Sequence, residues 1–290
     1  MGASQQILAS YSADAAPSPP SITNALALFA TWKIKADYAG SWIDAFGDSG
    51  EDVIPFTGNG LGDWSAIVPA VGTNPIVGTI FDQLGNANLS SLIAGTANPA
   101  IDTAAHKFTF NGTDQFLQSD GEWSLGGNAT LTCHFYGAVA DLTAAQMIYE
   151  YGDSLTNSGT DINTKFGANI SAAALITQDM CYTNIVPVFN SKTKTLANIN
   201  NHLLTFVMDL GASGAAQVTC YLDGVATGWT TVGSSTAVTF QNHTDFYFGA
   251  HVAASLFFNG SLRAFLPFNE VQDATRVMDW FNYITYWANL

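Results

Sequence analysis

Basic residues are scarce in this 290-residue chain: Lys and Arg number 8 against 23 Asp and Glu, for a formal net charge of −15. Nucleic-acid binding depends on clustered cations that displace counterions from phosphates, and the chain has too few to build such a cluster. An anionic membrane surface repels it for the same reason. Charge of either sign is thin, at 11% of residues, less than half the usual share of about 25%. Surface polarity has to come from Ser, Thr, Asn and Gln, the habit of β-rich extracellular, viral or carbohydrate-facing proteins. No run approaches the roughly 18 apolar residues of a membrane span. The opening MGASQQILASYSADAAPSPP lacks the basic and apolar regions of a signal peptide, so synthesis in the producer's cytoplasm is expected.

Cysteine is rare as well. Cys133, Cys181 and Cys220 form an odd set, whereas a disulfide framework would be denser and even-numbered. Cys133 and Cys220 lie in the alternating runs TLTCHFY and QVTCYLD, where a free thiol packs as a small hydrophobe.

Apolar residues are abundant, at 48% with 12% aromatic, enough for one large core. Residues 1–24 read as an extended arm. The stretch Ala15-Ala16-Pro17-Ser18-Pro19-Pro20-Ser21 favours an extended backbone. It separates the body from an apolar segment whose Ile7, Leu8 and Tyr11 are candidate anchors on another polypeptide. Residues 25–290 then read as one domain. Phe108–Phe110, Leu131–Tyr136, Leu204–Met208, Val218–Leu222, Phe246–Phe248 and Leu262–Leu266 are β-rich. Asn111-Gly112, Asp223-Gly224 and Asn259-Gly260 are turn dipeptides, and YLDG with VATGW reads as a hairpin. Many short strands punctuated by Gly and Asn mean a sandwich or barrel.

Helix is expected in two places. A short one covers Asp63–Val71, limited by Pro69. A second covers 270–288, capped by Asn269 with Glu270 and Asp273 in its first turn. Its apolar side is expected to hold Val271, Thr275, Met278, Phe281 and Trp287, with Val277 and Ile284 adding to the surface it buries. Its aromatics exceed one stripe, so it is either nearly enclosed or packed on another subunit. Packing as a lid on the sandwich is expected.

Two segments in this order carry a resemblance: Ile80-Phe81-Asp82-Gln83-Leu84-Gly85-Asn86-Ala87, and Phe110-Asn111-Gly112-Thr113-Asp114-Gln115-Phe116-Leu117. With the preceding GNGLGDWSAIVPAVG, the stretch 25–118 resembles the concanavalin A-like, laminin-G-like jelly rolls of bacteriophage virion proteins. It is also similar to the sandwich of the arabinofuranosidase B family. Leu84 and Phe81 depart from the pattern, which has Ser and a Trp-Tyr pair there. The resemblance implies an all-β, concanavalin A-like jelly-roll sandwich, to which the residues themselves add the amino-terminal arm and the carboxy-terminal helix. Asp82, Gln83 and Gly85 are expected to build one scaffold turn, and Asn111, Gly112 and Asp114 another that returns Phe116 to the face of Phe108 or Phe110.

Catalytic and metal motifs are missing. A glycosidase needs two facing carboxyls roughly 5–9.5 Å apart. Glu150, between Tyr149 and Tyr151, is the most suggestive acid, but no motif supplies its partner. No nucleophile elbow occurs, and the five histidines show no metal-ligand spacing. Calcium is the one cofactor with candidate ligands, Asp44, Asp48, Glu51 and Asp52, set against the default of a solvated acidic loop. Sugar binding needs an exposed aromatic beside amides or acids, which makes Trp42, Trp64, Trp123 and Trp229 candidates. The expected function is non-enzymatic: a phage virion protein, on the capsid as decoration or in the tail or fibre. Its expected partners are other virion proteins, copies of itself and a host-surface glycan. A carbohydrate-binding module, and then a glycoside hydrolase, are the competing readings.

Overall fold

Period-two runs bounded by Gly and Asn fold into strands that turn alternate side chains inward. The computed structural model describes residues 16–91, 98–121, 130–151, 165–171, 173–182, 188–209, 211–212, 217–232, 246–250 and 256–289. The early strands are β1 (Phe29–Ala30), β2 (Ser41–Gly47), β3 (Gly50–Pro55), β4 (Ile76–Ile80), β5 (Leu89–Ser90) and β6 (Ala100–Asp102). Next come β7 (Lys107–Asn111), β8 (Leu117–Ser119), β9 (Thr130–Val139), β10 (Gln146–Tyr151), β11 (Lys165–Ile170) and β12 (Leu175–Tyr182). The last are β13 (Val188–Thr195), β14 (His202–Asp209), β15 (Val218–Leu222), β16 (Thr230–Val232), β17 (Phe246–Phe248) and β18 (Asn259–Phe268). Helix α1 (Trp64–Val71) follows β3, and α2 (Ala274–Ala288) follows β18.

Antiparallel pairings arrange the strands in two layers. The front layer runs β3-β2-β4-β5-β8-β17-β10-β11-β12-β13-β16. The back layer runs β15-β14-β9-β18-β7-β6, with β1 beside β18 past the end of β7. A single Ile76–Ala100 pair joins the layers through β4 and β6. Between them lies one apolar cluster that includes Trp42, Phe108, Phe135, Tyr149, Tyr151, Phe206, Phe246, Phe248 and Phe265. The all-β sandwich expected from the sequence is the observed fold. Cys133 and Cys220 are buried free thiols within it; the Cys181 side chain lies outside the described residues.

The back layer's other face is apolar too. Leu28, Ala30, Trp32, Tyr136, Leu203, Ala264, Leu266 and Phe268 meet Trp280, Tyr283 and Ile284 of α2 in a second cluster. Val277 packs on Val207 and Tyr221. The helix is the expected lid: Val277 and Ile284 are buried and Phe281 and Trp287 pack at the edge of the cluster, while Val271 and Met278, also expected inside, are exposed. Its start also moves. Asp273 is the N-cap, its carboxylate accepting from Arg276 N at 2.9 Å. Residues 269–272 are tied to the body outside the helix, as Asn269 N donates to Asn24 O, Thr132 Oγ1 donates to Glu270 O, and Gln272 reaches His134. Helix α1 starts one residue after its own cap, Asp63, whose side chain accepts from Ala66 N.

Three further expectations are corrected. Asn259-Gly260 opens β18 instead of turning; a Cβ on Gly260 would lie 2.3 Å from Ala138 O, so glycine serves close strand approach. Asp223 and Gly224 do turn at φ 53° and 77°, but the ladder ends at the Leu222–Val225 bridge and β16 pairs with β13. Phe116 does not rejoin Phe108 and Phe110: Leu117 enters the core, so its neighbour must face out. Within the arm, residues 16–24 lie on the chain's own body. Arg276 donates to Ser21 O at 2.7 Å, and Asn24 Nδ2 to Glu270 Oε2 at 2.9 Å. Ile7, Leu8 and Tyr11 lie outside the described residues.

Candidate functional site

The front layer's outward face carries one line of polar side chains. Register places Asp44 opposite Thr79, Thr79 opposite Ser90, Ser90 opposite Gln118, Gln118 opposite Tyr247, and Tyr247 opposite Glu150. Sequence neighbours fix their direction. Ile43, Ala45, Ile80, Leu89, Leu117, Phe246, Phe248, Tyr149 and Tyr151 all fill the core, so the residues between or beside them point outward. Strands β5, β8 and β17 are only 2, 3 and 3 residues long. Each therefore offers a single outward side chain, and the middle of the face is one residue wide.

At one end sits an aromatic group. Tyr247 lies 6.2 Å from Phe116 and 6.3 Å separates Phe116 from Phe257, ring centre to ring centre. All three are half-buried, because Leu117, Phe248 and Phe258 beside them occupy the core. Gln118 and Glu150 flank Tyr247 on the neighbouring strands. Glu150 is 5% exposed, and opposite it on β11 stands Gly167.

The other end is acidic. Burial, with Glu51 and Asp52 beside it, pushes the Asp44 carboxyl up to about 6. Gly78 makes room there: a Cβ would lie 2.1 Å from Phe46 Cε2 and 3.1 Å from Asp44 Oδ2. Between the ends, the Thr79 and Ser90 hydroxyls are 3.0 Å apart. No Lys or Arg stands on the line.

The sequence candidates are scattered by the fold. Trp42 is 1% exposed, packed on Trp64 and Phe108 at 4.6 and 5.8 Å, and cannot stack on a ligand. Trp64 is covered by His106, stacked at 5.2 Å, in the wall of a cleft of about 460 Å³ with Thr57, Asn59, Asp63 and Ser65. Trp229 packs edge-on against Phe206, with Lys194 Nζ 5.9 Å over its ring. Trp123 lies outside the described residues. Of the calcium candidates, Asp44, Glu51 and Asp52 lie beside one another while Asp48 accepts from Thr73 Oγ1, and no metal-holding group of three or more ligands occurs among the described residues.

Asp82 and Gln83 are buried and bind backbone. The Asp82 carboxylate accepts from Leu28, Leu84 and Asn86 N at 2.7, 3.0 and 2.8 Å. Burial raises its pKa against the pull of these bonds. Gln83 accepts from Ile34 N at 2.6 Å and donates to Trp32 O at 2.9 Å. Together they pin β1 and the following chain, with Gly85 turning at φ 77°. Asn111 Oδ1 accepts from Thr113 N, Asn111 Nδ2 donates to Asp114, and Gly112 has φ 73°. Gln118, Tyr247, Phe116 and Phe257 were not legible as a group. The outward position beside a core-filling neighbour was their one local signal.

No protein-family model and no curated protein matches the chain. Among solved structures, a GH54 α-L-arabinofuranosidase soaked with a cyclic sulfate inhibitor superposes with TM-score 0.56 at 11% identity, over 90% of this chain and 62% of that one. An arabinofuranosidase complexed with arabinofuranosyl-α-1,2-xylobiose gives 0.52 at 12% identity, over 90% and 62%. The binding domain of botulinum neurotoxin serotype G gives 0.47 at 13% identity, over 68% and 48%. The chain spans less than two thirds of the arabinofuranosidases' length. At such identities the first two likenesses show the fold: this is a jelly-roll-like β-sandwich, an architecture that glycosidases share.

Proposed function

We propose that the chain is a carbohydrate-contacting sandwich that holds a glycan without cleaving it, working in a virion as capsid decoration or as part of a tail or fibre. The observation that carries the binding reading is the Phe116–Tyr247–Phe257 group beside Gln118 and Glu150. A sugar ring has apolar C–H faces that stack on aromatic rings and hydroxyls that pair with amides and carboxylates. Both kinds of partner meet here, Tyr247, Gln118 and Glu150 on strands and Phe116 and Phe257 just ahead of β8 and β18. The virion setting rests on the sequence resemblance of residues 25–118.

Binding is favoured over hydrolysis because no sequence motif supplies Glu150 with a carboxylate partner. Asp44, the other outward acid of the line, stands five strand intervals from Glu150, about 24 Å at roughly 4.8 Å each, far beyond a catalytic pair. Asp179 lies two register steps from Glu150 through Gly167, its side chain outside the described residues. Glycan-array binding of the whole chain tests the proposal: Tyr247→Ala and Gln118→Ala should each weaken capture roughly tenfold, a loss of about 1.4 kcal/mol. Turnover of an arabinan that vanishes in both Glu150→Gln and Asp179→Asn would replace binding with catalysis. Absence of the chain from purified particles would remove the virion setting.

A further inference from the structure

We infer that the chain carries a second carbohydrate site, a cleft for a neutral mono- or disaccharide between the β3–α1 loop and the β6–β7 turn. This goes beyond the Phe116–Tyr247–Phe257 group and stands on its own geometry. The cleft holds about 460 Å³, within the range of small-molecule sites, about 300–1,000 Å³. Both layers contribute to it: Trp64 opens α1 after the front layer's β3, and His106 ends the turn before the back layer's β7. The two rings stack at 5.2 Å with 12° between their planes. Trp42 and Phe108 stand 4.6 and 5.9 Å from Trp64 and bury it, so the ring offered to the cleft is that of half-buried His106.

Both walls are set in place by the body. His106 stands at φ 52°, uncommon outside glycine. Its turn is fixed by Asp102, which accepts from Ala105 N at 2.9 Å, and by Arg263, which donates to Ala105 O. A residue kept in such a conformation at a cleft points to a use for its side chain. The other wall, the 57–62 loop, closes on itself through Thr57 N to Leu61 O at 2.7 Å. It is tied to the chain after β1 by Lys33 N to Gly60 O and Gly62 N to Thr31 O. Chemistry then selects the ligand. Burial and the Arg263 guanidinium hold His106 below its ordinary value, so its ring is neutral at pH 7 and both donates and accepts. Asn59 spends its carbonyl on Thr57 Oγ1, leaving its NH₂ to donate. Asp63 Oδ1 accepts from Ser65 Oγ and Ala66 N, leaving Oδ2 to accept. Donors and acceptors beside an aromatic ring match the hydroxyls and C–H face of a sugar. No Lys or Arg is among the described residues lining the cleft, so an acidic sugar would meet Asp63 without a counter-charge.

The test is NMR titration of the whole chain with methyl glycosides of neutral hexoses and pentoses and the matching disaccharides, with a methyl uronoside alongside. The backbone amides of Gly58, Asn59, Ser65 and His106 should shift to saturation with at least one neutral sugar, in the unaltered chain and in Tyr247→Ala alike. The uronoside should bind roughly tenfold more weakly or not at all. Asn59→Ala and His106→Asn should each weaken the cleft roughly tenfold; Asn removes the ring but tolerates positive φ. Cleft amides that stay still with every sugar, or that respond equally to the uronoside, would overturn the inference, as would unchanged affinity in both variants. Loss of all sugar binding in a folded Tyr247→Ala would overturn the cleft and leave the front-face reading standing. Saturation at the cleft with no response at Gln118 or Tyr247 would support the cleft and count against the front face. The shift map of the unaltered chain decides the matter even if neither cleft variant folds.

Discussion

The two outer faces of this sandwich are built on the same alternation and meet opposite fates. On the back layer, Leu203, Ala264, Leu266 and Phe268 face away from the central core, and α2 buries them under Trp280, Tyr283 and Ile284. On the front layer the corresponding positions hold Thr79, Ser90, Gln118, Tyr247 and Glu150, and no described helix lies over them. An apolar outer face obliges the chain to supply cover. A polar one leaves the face for a ligand whose own groups are polar. The back face also contains the polar exception: His134 is 0% exposed, bonded at 2.8 Å through Nδ1 to Thr205 Oγ1 and through Nε2 to Gln272 Oε1. Every ring nitrogen is satisfied, so the imidazole stays neutral under Trp280.

Removing the lid should break the contrast most severely. Truncation at Asn269 exposes the whole second cluster, and aggregation is expected in size-exclusion chromatography. A soluble monomer with an unchanged melting temperature would refute the lid, and loss of assembly alone would move the helix to a subunit interface. Trp280→Ala should cost about 3–5 kcal/mol, the range for a buried aromatic truncated to a cavity, read from the denaturation midpoint.

Acid should strike the covered face next. Burial holds His134 down to about 3, against about 6.5 in the unfolded chain. Below the unfolded value only the unfolded state takes up the proton, so stability present at pH 7 is lost as pH falls toward 3. Between pH 6.5 and 4 the loss from this residue is on the order of 3 kcal/mol. His134→Gln should flatten that part of the curve measured by denaturant titration; an equally steep curve would place the acid sensitivity elsewhere.

The open face should respond in binding and hardly in stability. Tyr247→Ala and Gln118→Ala should shift stability by about 0.5 kcal/mol or less, the usual span for substitutions outside the core, while glycan capture falls. A loss of several degrees in melting temperature would make the line structural. The smallest effect concerns Asp44. Its folded pKa is raised, so the stability linked to its protonated form is complete below the unfolded value near 3.9 and lost as pH rises through about 6. Asp44→Asn should therefore gain slightly over the unaltered chain above pH 6 and not below pH 4, in the same denaturant series.

Much of the fold was legible because it is local. The alternation in TLTCHFYGAV marks β9, and the same rule marks β14 and β18. The paired Asp82 and Gln83 announced a turn, and they make one that also ties in β1. The site was not legible. Its members come from positions 44, 79, 90, 118, 150 and 247, and three of its strands are too short to show a period. The most conspicuous sugar-stacking candidates failed for a general reason: a large ring gains more by burial than by exposure, and Trp42 is in the core.

What the sequence by itself determined is the class: many short apolar strands punctuated by Gly and Asn make a sandwich or barrel, and turn dipeptides and a capped terminal helix follow from backbone preferences within a few residues. Tertiary structure alone decided which aromatics of α2 are fully buried, because the back layer offers Trp280 a pocket against His134 and Phe268, with ring centres at 5.7 and 5.3 Å. It alone decided where α2 begins, because Asn269 and Asp273 are both good caps and contacts with Asn24, Thr132 and His134 keep the intervening residues out of the helix. It alone drew the polar line, since register between strands distant in sequence is set by the packing of their inner faces, and the outer residues are carried into line with them.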